Sequence, residues 1–584
     1  MKLCIYRTHR PYGSICTTST TTTFWLDLSG ADVHFRKVFG TPPDFAIASH
    51  ISPLQGDVLQ ASSTLVGQLV QVRVEDLNAV DIGLTAWSLG TLVDLDSSVR
   101  SIELRQLVDA LAVRAVSSNV MEQQADEACR HWSRLLKGLA DVGVKCHESQ
   151  AVSACFSAAI TERMPVLIKA KQICEPQSVS NAFHATVTVS FKILAPFVSA
   201  VADDVDRVME GSNAQDWSNL LWSCAKQDES GSGQLGQGMP VILRGAAPAL
   251  ASLAISGSVV PQEVSNALWA FARFSFFDAS VVGDLASAIA KQARDKPTTT
   301  QSISNALWAL SKLGWYEASV YSTLTLAFVH KSSSADPQHF SNVLLGCAEA
   351  RHWDSSMEGL AEFVSKQSEQ QWERWESQHL TNTLYAWAVL TAAGPNAASA
   401  SPSFKVMAQQ LFSQVSKRGP SAFGDLGLRQ LFVAHQVAVY GKLLGDGLSA
   451  NAMLLEKIVA ANDASMSDLL RMVKGGDINE VAAALQRVGY EVEKAQIVQD
   501  LGLKRMVPLL AQGVAVRVMS VDDYFRSPPD LLSGSKQIHV VLAGWVCGSS
   551  IVVPEAEWAD LKSDPQQQQA YMAQRMQEVV RIGL

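Results

Sequence analysis

The chain has 584 residues, of which 47% are apolar and 18% charged; this excludes an intrinsically disordered protein and is too long for one ordinary domain. The net charge of −9 excludes a broadly basic surface, so any nucleic-acid contact must come from a local stripe. No apolar run of 18 or more residues is free of charge. Val187–Val201, interrupted by Lys192 and Pro196, reads as a buried helix rather than a membrane span.

The N-terminus differs from the rest. Lys2, Arg7 and Arg10 are basic, Thr17–Thr23 is a hydroxyl run, and no acid precedes Asp27. This composition predicts an organelle-targeting segment over residues 1–30. The nine cysteines are scattered without a CxxC pair, which argues against a zinc module or a disulfide framework and predicts reduced, buried thiols.

Six windows then align without gaps: PQSVSNAFHA from Pro176, AQDWSNLLWS from Ala214, PQEVSNALWA from Pro261, TQSISNALWA from Thr300, PQHFSNVLLG from Pro337 and SQHLTNTLYA from Ser377. Each carries Gln at its second position (Gln177, Gln215, Gln262, Gln301, Gln338, Gln378) and Asn four residues later (Asn181, Asn219, Asn266, Asn305, Asn342, Asn382). Successive asparagines are 38, 47, 39, 37 and 40 residues apart. A fixed period of this length predicts stacked repeats. LTAWSLGTL at Leu84–Leu92 and LRQLFVA at Leu428–Ala434 read as degenerate copies, giving a repeat region over about 60–450 with its clearest copies in 176–420.

Each copy predicts a helix–turn–helix. Pro261 and Pro337 suit the first helical position, with Asp336 as an N-cap. Val264, Leu268 and Phe271, and likewise Ile303, Leu307 and Leu310, recur at helical spacing on one apolar face. Gly314 closes its helix, and a second apolar helix follows over Val320–Val329. Such a pair cannot bury its apolar face alone, so neighbouring copies must stack.

At 100° per residue, with Gln at zero, Asn falls at about 40°, the residue seven on at about 340° and the residue eleven on at about 20°. Gln, Asn, an aromatic (Trp222, Trp269, Trp308, Tyr385) and a basic residue (Lys226, Arg273, Lys312) therefore share a stripe opposite the apolar face. Amide, ring and cation together suit a single-stranded nucleic acid. Residues common to every copy cannot tell bases apart, so Gln and Asn are expected to be repeat scaffold, tied into buried hydrogen bonds. Base reading is expected from the variable residue after each Gln: Ser178, Asp216, Glu263, Ser302, His339 and His379. Thr188, Glu349 and Val389 replace the basic residue in the other copies.

From Asp477 the texture changes. Asn479–Val488 predicts an amphipathic helix ending at Gly489, Val514–Met519, Gln537–Leu542 and Ser550–Val553 predict strands, and a last helix is expected over Gln566–Arg581. Residues 477–584 thus read as a small α/β domain.

The motif SNALWALSKLG at about 38-residue spacing resembles octotricopeptide repeats. NEVAAALQRVGYEV, VAVRVMSVDDYF ahead of Pro528 and Pro529, and GSSIVVPEAEW (Gly548–Trp558) resemble the RAP domain that often follows them. The layout is also similar to the Fas-activated serine/threonine kinase family. The resemblance implies a mainly α protein: an α-solenoid of helix–turn–helix repeats followed by a small restriction-endonuclease-like α/β domain. It further implies binding to a single-stranded transcript or rRNA in a mitochondrion or chloroplast, acting in RNA processing, stability or translation. A structural subunit of a large organellar ribonucleoprotein, such as the ribosome, held by other proteins, is the alternative expectation. Endonuclease activity is the third. Where that family's strand carries Glu-Val-Asp this chain has Arg517, Val518 and Met519, and Met506–Leu510 offers no acid. Glu480, Asp522 and Asp523 alone do not make a divalent-metal site. The expectation is a non-enzymatic protein with no metal or cofactor, without membrane or DNA partners, in which Arg517, Lys536 and His539 are further RNA candidates.

Overall fold

The computed structural model describes residues 2–7, 22–27, 34–39, 73–95, 100–117, 119–123, 125–228, 235–444, 447–448, 451–472, 476–500, 503–561 and 564–579. The start of the expected repeat region near residue 60, the hydroxyl run up to Thr21 and the end of the expected last helix lie outside the described residues. Two compact units are present: Met1–Phe156 with Thr188–Ser190, and Ser157–Val187 with Phe191–Leu584.

The first unit contains an antiparallel sheet of β1 (Lys2–Arg7), β2 (Thr22–Asp27) and β3 (His34–Phe39), with Lys2 opposite Asp27 and Thr22 opposite Phe39. The segment read as targeting therefore carries β1 and β2. Helices α1 (Ala79–Leu95), α2 (Ile102–Ser117), α3 (Ala128–Val142) and α4 (Gln150–Ser157) follow. α1, which holds the LTAWSLGTL echo, packs along α3, and Gly138 makes the approach possible, because a Cβ there would lie 2.2 Å from the Ala86 carbonyl carbon.

The second unit is mainly helical. Ahead of its C-terminal part its α-helices longer than five residues are α5 (Met164–Lys169), α6 (Pro176–Thr188), α7 (Ala195–Ala202), α8 (Ala214–Gln227), α9 (Gly238–Ile255), α10 (Pro261–Arg273), α11 (Ala279–Asp295), α12 (Thr300–Leu313), α13 (Ala318–Val329), α14 (Pro337–Glu349), α15 (Ser355–Ser365), α16 (Ser377–Ala393), α17 (Pro402–Ser416), α18 (Asp425–Tyr440) and α19 (Ala452–Met472). The even-numbered helices α6 to α16 begin the six motif windows. From α8 to α18 each even-numbered helix packs along the next, and from α5 to α17 so does each odd-numbered one. α6 joins the first row through the Ser180 hydroxyl, which donates to Asp216 Oδ1 of α8 at 3.2 Å. α18, carrying LRQLFVA, extends it beyond α16. Val187–Val201 is not one helix: it spans the end of α6, a connection, and part of α7, where Pro196 sits in the first turn. Gln150–Lys169 and Gly238–Ile255 are long and apolar enough by composition to cross a membrane; the latter, α9, packs against α7 and α11.

The apolar face is where the spacing places it: Val264, Leu268, Phe271, Ile303, Leu307 and Leu310 are all buried. A second rule governs the contact between even-numbered helices. Eight residues after each Gln stands Ala185, Ser223, Ala270, Ala309, Gly346 or Ala386, all buried. At Gly346 even a methyl group is too large, since a Cβ would stand 2.8 Å from the Leu307 carbonyl oxygen of α12. Small residues here let adjacent helices approach closely.

The C-terminal part holds α20 (Gly476–Val488) and a four-stranded mixed sheet in the order β4 (Val492–Asp500), β5 (Leu503–Ala511), β6 (Val514–Met519), β7 (Ser549–Pro554). The first two pairings are antiparallel; β6 and β7 run parallel with Val514 opposite Ser549. A parallel pair requires a crossover, and α21 (Gly534–Cys547) supplies it. Gln537–Leu542, expected as a strand, lies inside this helix. A short β-branched apolar run does not reveal its period; Ser533 as N-cap and the left-handed Gly548 (φ 83°) set the helix ends. α22 (Glu555–Asp560) and α23 (Pro565–Gln577) complete the chain, and Val481, Leu485, Leu509, Val516, Ile551, Val553, Trp558 and Met572 form a core.

Cys155, Cys224 and Cys347 are buried free thiols as expected. Cys129 and Cys174 depart from that expectation, each being disulfide-bonded.

Candidate nucleic-acid interface

Within each even-numbered helix the motif residues separate by depth. All six glutamines are exposed and all six asparagines half-buried. The Ser or Thr between them is buried in every copy: Ser180, Ser218, Ser265, Ser304, Ser341 and Thr381. Each of these hydroxyls donates to the backbone carbonyl of its own Gln, one turn back, at 3.0–3.3 Å. The constant part of the motif is thus a small, self-satisfied polar residue in the packed layer.

This alters the expected roles of Gln and Asn. The glutamines are not buried ties between copies, because their position two residues into the helix turns them to solvent. Among the described residues, Asn382 is the repeat asparagine that shows a side-chain bond to the next helix of the row, its Oδ1 accepting from Gln430 Nε2 of α18 at 3.0 Å, beside a recess lined by Gln378, Thr381 and Asp425.

The residues expected to read bases have a different occupation. The residue after Gln is the third of its helix, where a side chain can reach back to the N-cap N–H. Asp216 accepts from the Asn213 N–H at 3.2 Å, and Glu263 from the Val260 N–H at 2.8 Å. His339 Nδ1 accepts from the Asp336 N–H at 3.2 Å, and His379 Nδ1 from the Glu376 N–H at 3.1 Å. Ser302 accepts from the Thr299 hydroxyl at 3.0 Å. Ser178, Asp216 and Ser302 are buried outright. Burial raises the Asp216 and Glu263 carboxyls and lowers the His339 and His379 imidazoles, in each case disfavouring the charged form. Asp216, Glu263, His339 and His379 thus close their helix N-termini, and Ser302 bonds to its N-cap side chain.

The rings and cations do come together. His184, Trp222, Trp269, Trp308 and Tyr385 are half-buried, each leaving part of its ring at the surface. His184 stacks on Trp222 of the next helix with centroids 5.7 Å apart. Lys226 Nζ lies 5.0 Å from the Trp269 centroid and the Arg273 guanidinium 5.9 Å from it, so cations from two adjacent helices share one ring. Arg273 and Lys312 are exposed. Aromatic and basic residues thus recur at the same register of the adjacent helices α8, α10 and α12, with ring and cation in contact between α8 and α10.

In the later copies the same register is taken up by the C-terminal part. α21 packs against α14, α16 and α18. Glu349, eleven residues after its Gln, accepts the Ser535 backbone N–H at the start of α21 at 3.0 Å, a favourable site for a carboxylate. A Cβ on Gly534 would lie 2.7 Å from Val389, the eleventh-position residue of α16. Glu349 and Val389, which depart from the basic pattern, thus serve a docking surface. Gly314 belongs to the same surface. Ser275 (φ 53°) and Arg351 (φ 51°) adopt the left-handed turn that ends their helices without being glycine. At Gly314 the carbonyl accepts the Arg526 and Ser527 N–H groups at 2.7 and 3.0 Å, and a Cβ would come within 3.0 Å of the Arg526 nitrogen.

Arg517 does not join the exposed row. On β6 its Nη2 donates to the Met506 carbonyl at 3.3 Å while its Nε is buried without a hydrogen-bond partner, and burial pulls the guanidinium down to about 10. Lys536 pairs with Asp523 at 2.8 Å. Glu480 accepts from the Trp558 indole at 3.3 Å, and Asp522 is exposed. Among the described residues no group of three or more His, Cys, Asp or Glu is placed to hold a metal ion.

No protein-family model matches the chain, and no curated protein matches it.

Proposed function

We propose that the chain is an RNA-binding α-solenoid of helix–turn–helix repeats with a small restriction-endonuclease-like domain docked on its later copies, acting in organellar post-transcriptional gene expression. The observation that carries this reading is the set of residues at one register of α8, α10 and α12, in which Lys226 and Arg273 lie 5.0 and 5.9 Å from the centre of the half-exposed Trp269 ring and Lys312 is exposed at the matching position of α12. Ring faces accept any base, and cations meet the backbone phosphates. The exposed glutamines and half-exposed asparagines are the amides nearest to base edges. Because they are the same in every copy, and four of the six variable residues close helix caps, binding is expected to tolerate sequence. Selection of one transcript would then rest on the RNA's structure or on a protein partner. The net charge of −9 favours, as a second reading, a subunit of an organellar ribonucleoprotein held partly by protein contacts.

The test is equilibrium binding of a labelled single-stranded polyuridine RNA by the full chain at several salt concentrations. Wild-type binding that weakens with salt, and a Lys226→Ala/Arg273→Ala/Lys312→Ala variant with lower affinity and a shallower slope, would support the proposal. Identical curves for the two proteins would remove the row from any role in binding.

A further inference from the structure

The cation row does not stop at the repeats. Arg526 lies in the C-terminal part, between β6 and α21, and its backbone is fixed on the end of α12 by the two bonds to Gly314. The Tyr316 N–H also donates to the Ser527 carbonyl at 2.7 Å, so the segment is held on both sides of the turn. The Arg526 side chain is exposed, and its guanidinium lies 5.3 Å from the centre of the Phe277 ring, just past the end of α10. Arg273 is the last residue of α10, and Lys312 stands two residues before Gly314. Arg526 is therefore delivered to the same helix ends that carry the repeat cations. A guanidinium resting on a ring face spends none of its N–H donors on that ring, which suits it to a phosphate.

We propose, resting on the RNA reading above, that Arg526 is a phosphate-contacting residue of the same interface, so that the C-terminal part completes the RNA site as well as covering the later repeats. Gly314 is the positioning residue: its φ is 69°, and a Cβ there would press on the Arg526 nitrogen at 3.0 Å.

The test uses the full chain and labelled polyuridine over a salt series, with thermal melting as a control for folding. Arg526→Ala should weaken binding about three- to tenfold and lower the salt slope by about one. Arg526→Lys should keep the wild-type slope; a slope matching Arg526→Ala would overturn a phosphate role. Gly314→Ala should weaken binding by a similar factor, and adding Arg526→Ala to it should bring little further loss, whereas full additivity would overturn the positioning role. Wild-type binding with an Arg526→Ala curve superimposed on it would overturn the assignment of Arg526 alone. A wild-type chain that fails to bind polyuridine would refute the RNA reading and this inference together.

Discussion

Gly534→Ala tests the docking of the C-terminal part on α14, α16 and α18. The new Cβ would stand 2.0 Å from the Ala348 carbonyl oxygen, 2.9 Å from the Ala348 carbonyl carbon and 2.7 Å from Val389 Cγ1. Two of these neighbours are backbone atoms of α14 and cannot rotate away. α21 must retreat by roughly 1 Å to restore ordinary contact, a strain of about 1–3 kcal/mol. That retreat also stretches the 3.0 Å bond from Ser535 N–H to Glu349, a bond to a charged acceptor contributing about 1.5–3 kcal/mol. Alanine's helix propensity returns at most about 1 kcal/mol, so a net loss of about 2–4 kcal/mol is expected. Gly424→Ala is the control, since a Cβ there meets nothing within 4 Å and φ is −76°. Urea-dependent limited proteolysis should show residues beyond about 476 released at lower urea in Gly534→Ala, with Gly424→Ala close to wild type. Equal urea midpoints for Gly534→Ala and wild type would refute the packing argument.

Other perturbations separate the layers of the repeat. Ser304→Ala removes only a one-turn hydroxyl bond and should lower stability by no more than about 1 kcal/mol, whereas Ser304→Leu overfills a buried position and should lower it by about 3 kcal/mol, both read by chemical denaturation. Asn305→Ala, at a half-buried site, should reduce polyuridine affinity more than the melting temperature. Polyuridine and polyadenosine should bind within about one order of magnitude of each other, because stacking tolerates any base; a much larger ratio would return sequence reading to the repeats. His435 is buried, its Nδ1 accepting from the Leu448 N–H at 3.1 Å, and burial pushes its imidazole down to about 4. Its folded-state value lies below the unfolded one, so the unfolded chain binds more protons in between. The stabilisation is present above about pH 6.5 and is lost as pH falls towards 4, by at most about 3 kcal/mol. His435→Gln should flatten that part of the stability–pH curve.

The buried face of each helix was legible from sequence because helical periodicity records which residues face the core, and Val264, Leu268 and Phe271 lie there. The stripe of Gln, Asn, ring and cation followed from the same periodicity. Two features were not legible for physical reasons. Position three of each helix varies between Ser, Asp, Glu and His, and that variation alone does not reveal the N-cap hydrogen bonds that Asp216, Glu263, His339 and His379 make. Glu349 and Val389 break the basic pattern because α21 lies against them, contacts that join residues far apart in the sequence and that no local spacing reveals. Gln537–Leu542 was misread because a short apolar run fits a strand or a helix equally well.

Ultraviolet crosslinking of polyuridine to the full chain, followed by peptide mapping, tests the central claim most directly. Adducts are expected on the peptides carrying Trp222, Trp269 and Trp308, diminished by the Lys226→Ala/Arg273→Ala/Lys312→Ala substitutions. Adducts confined to other segments, or none at all, would contradict it.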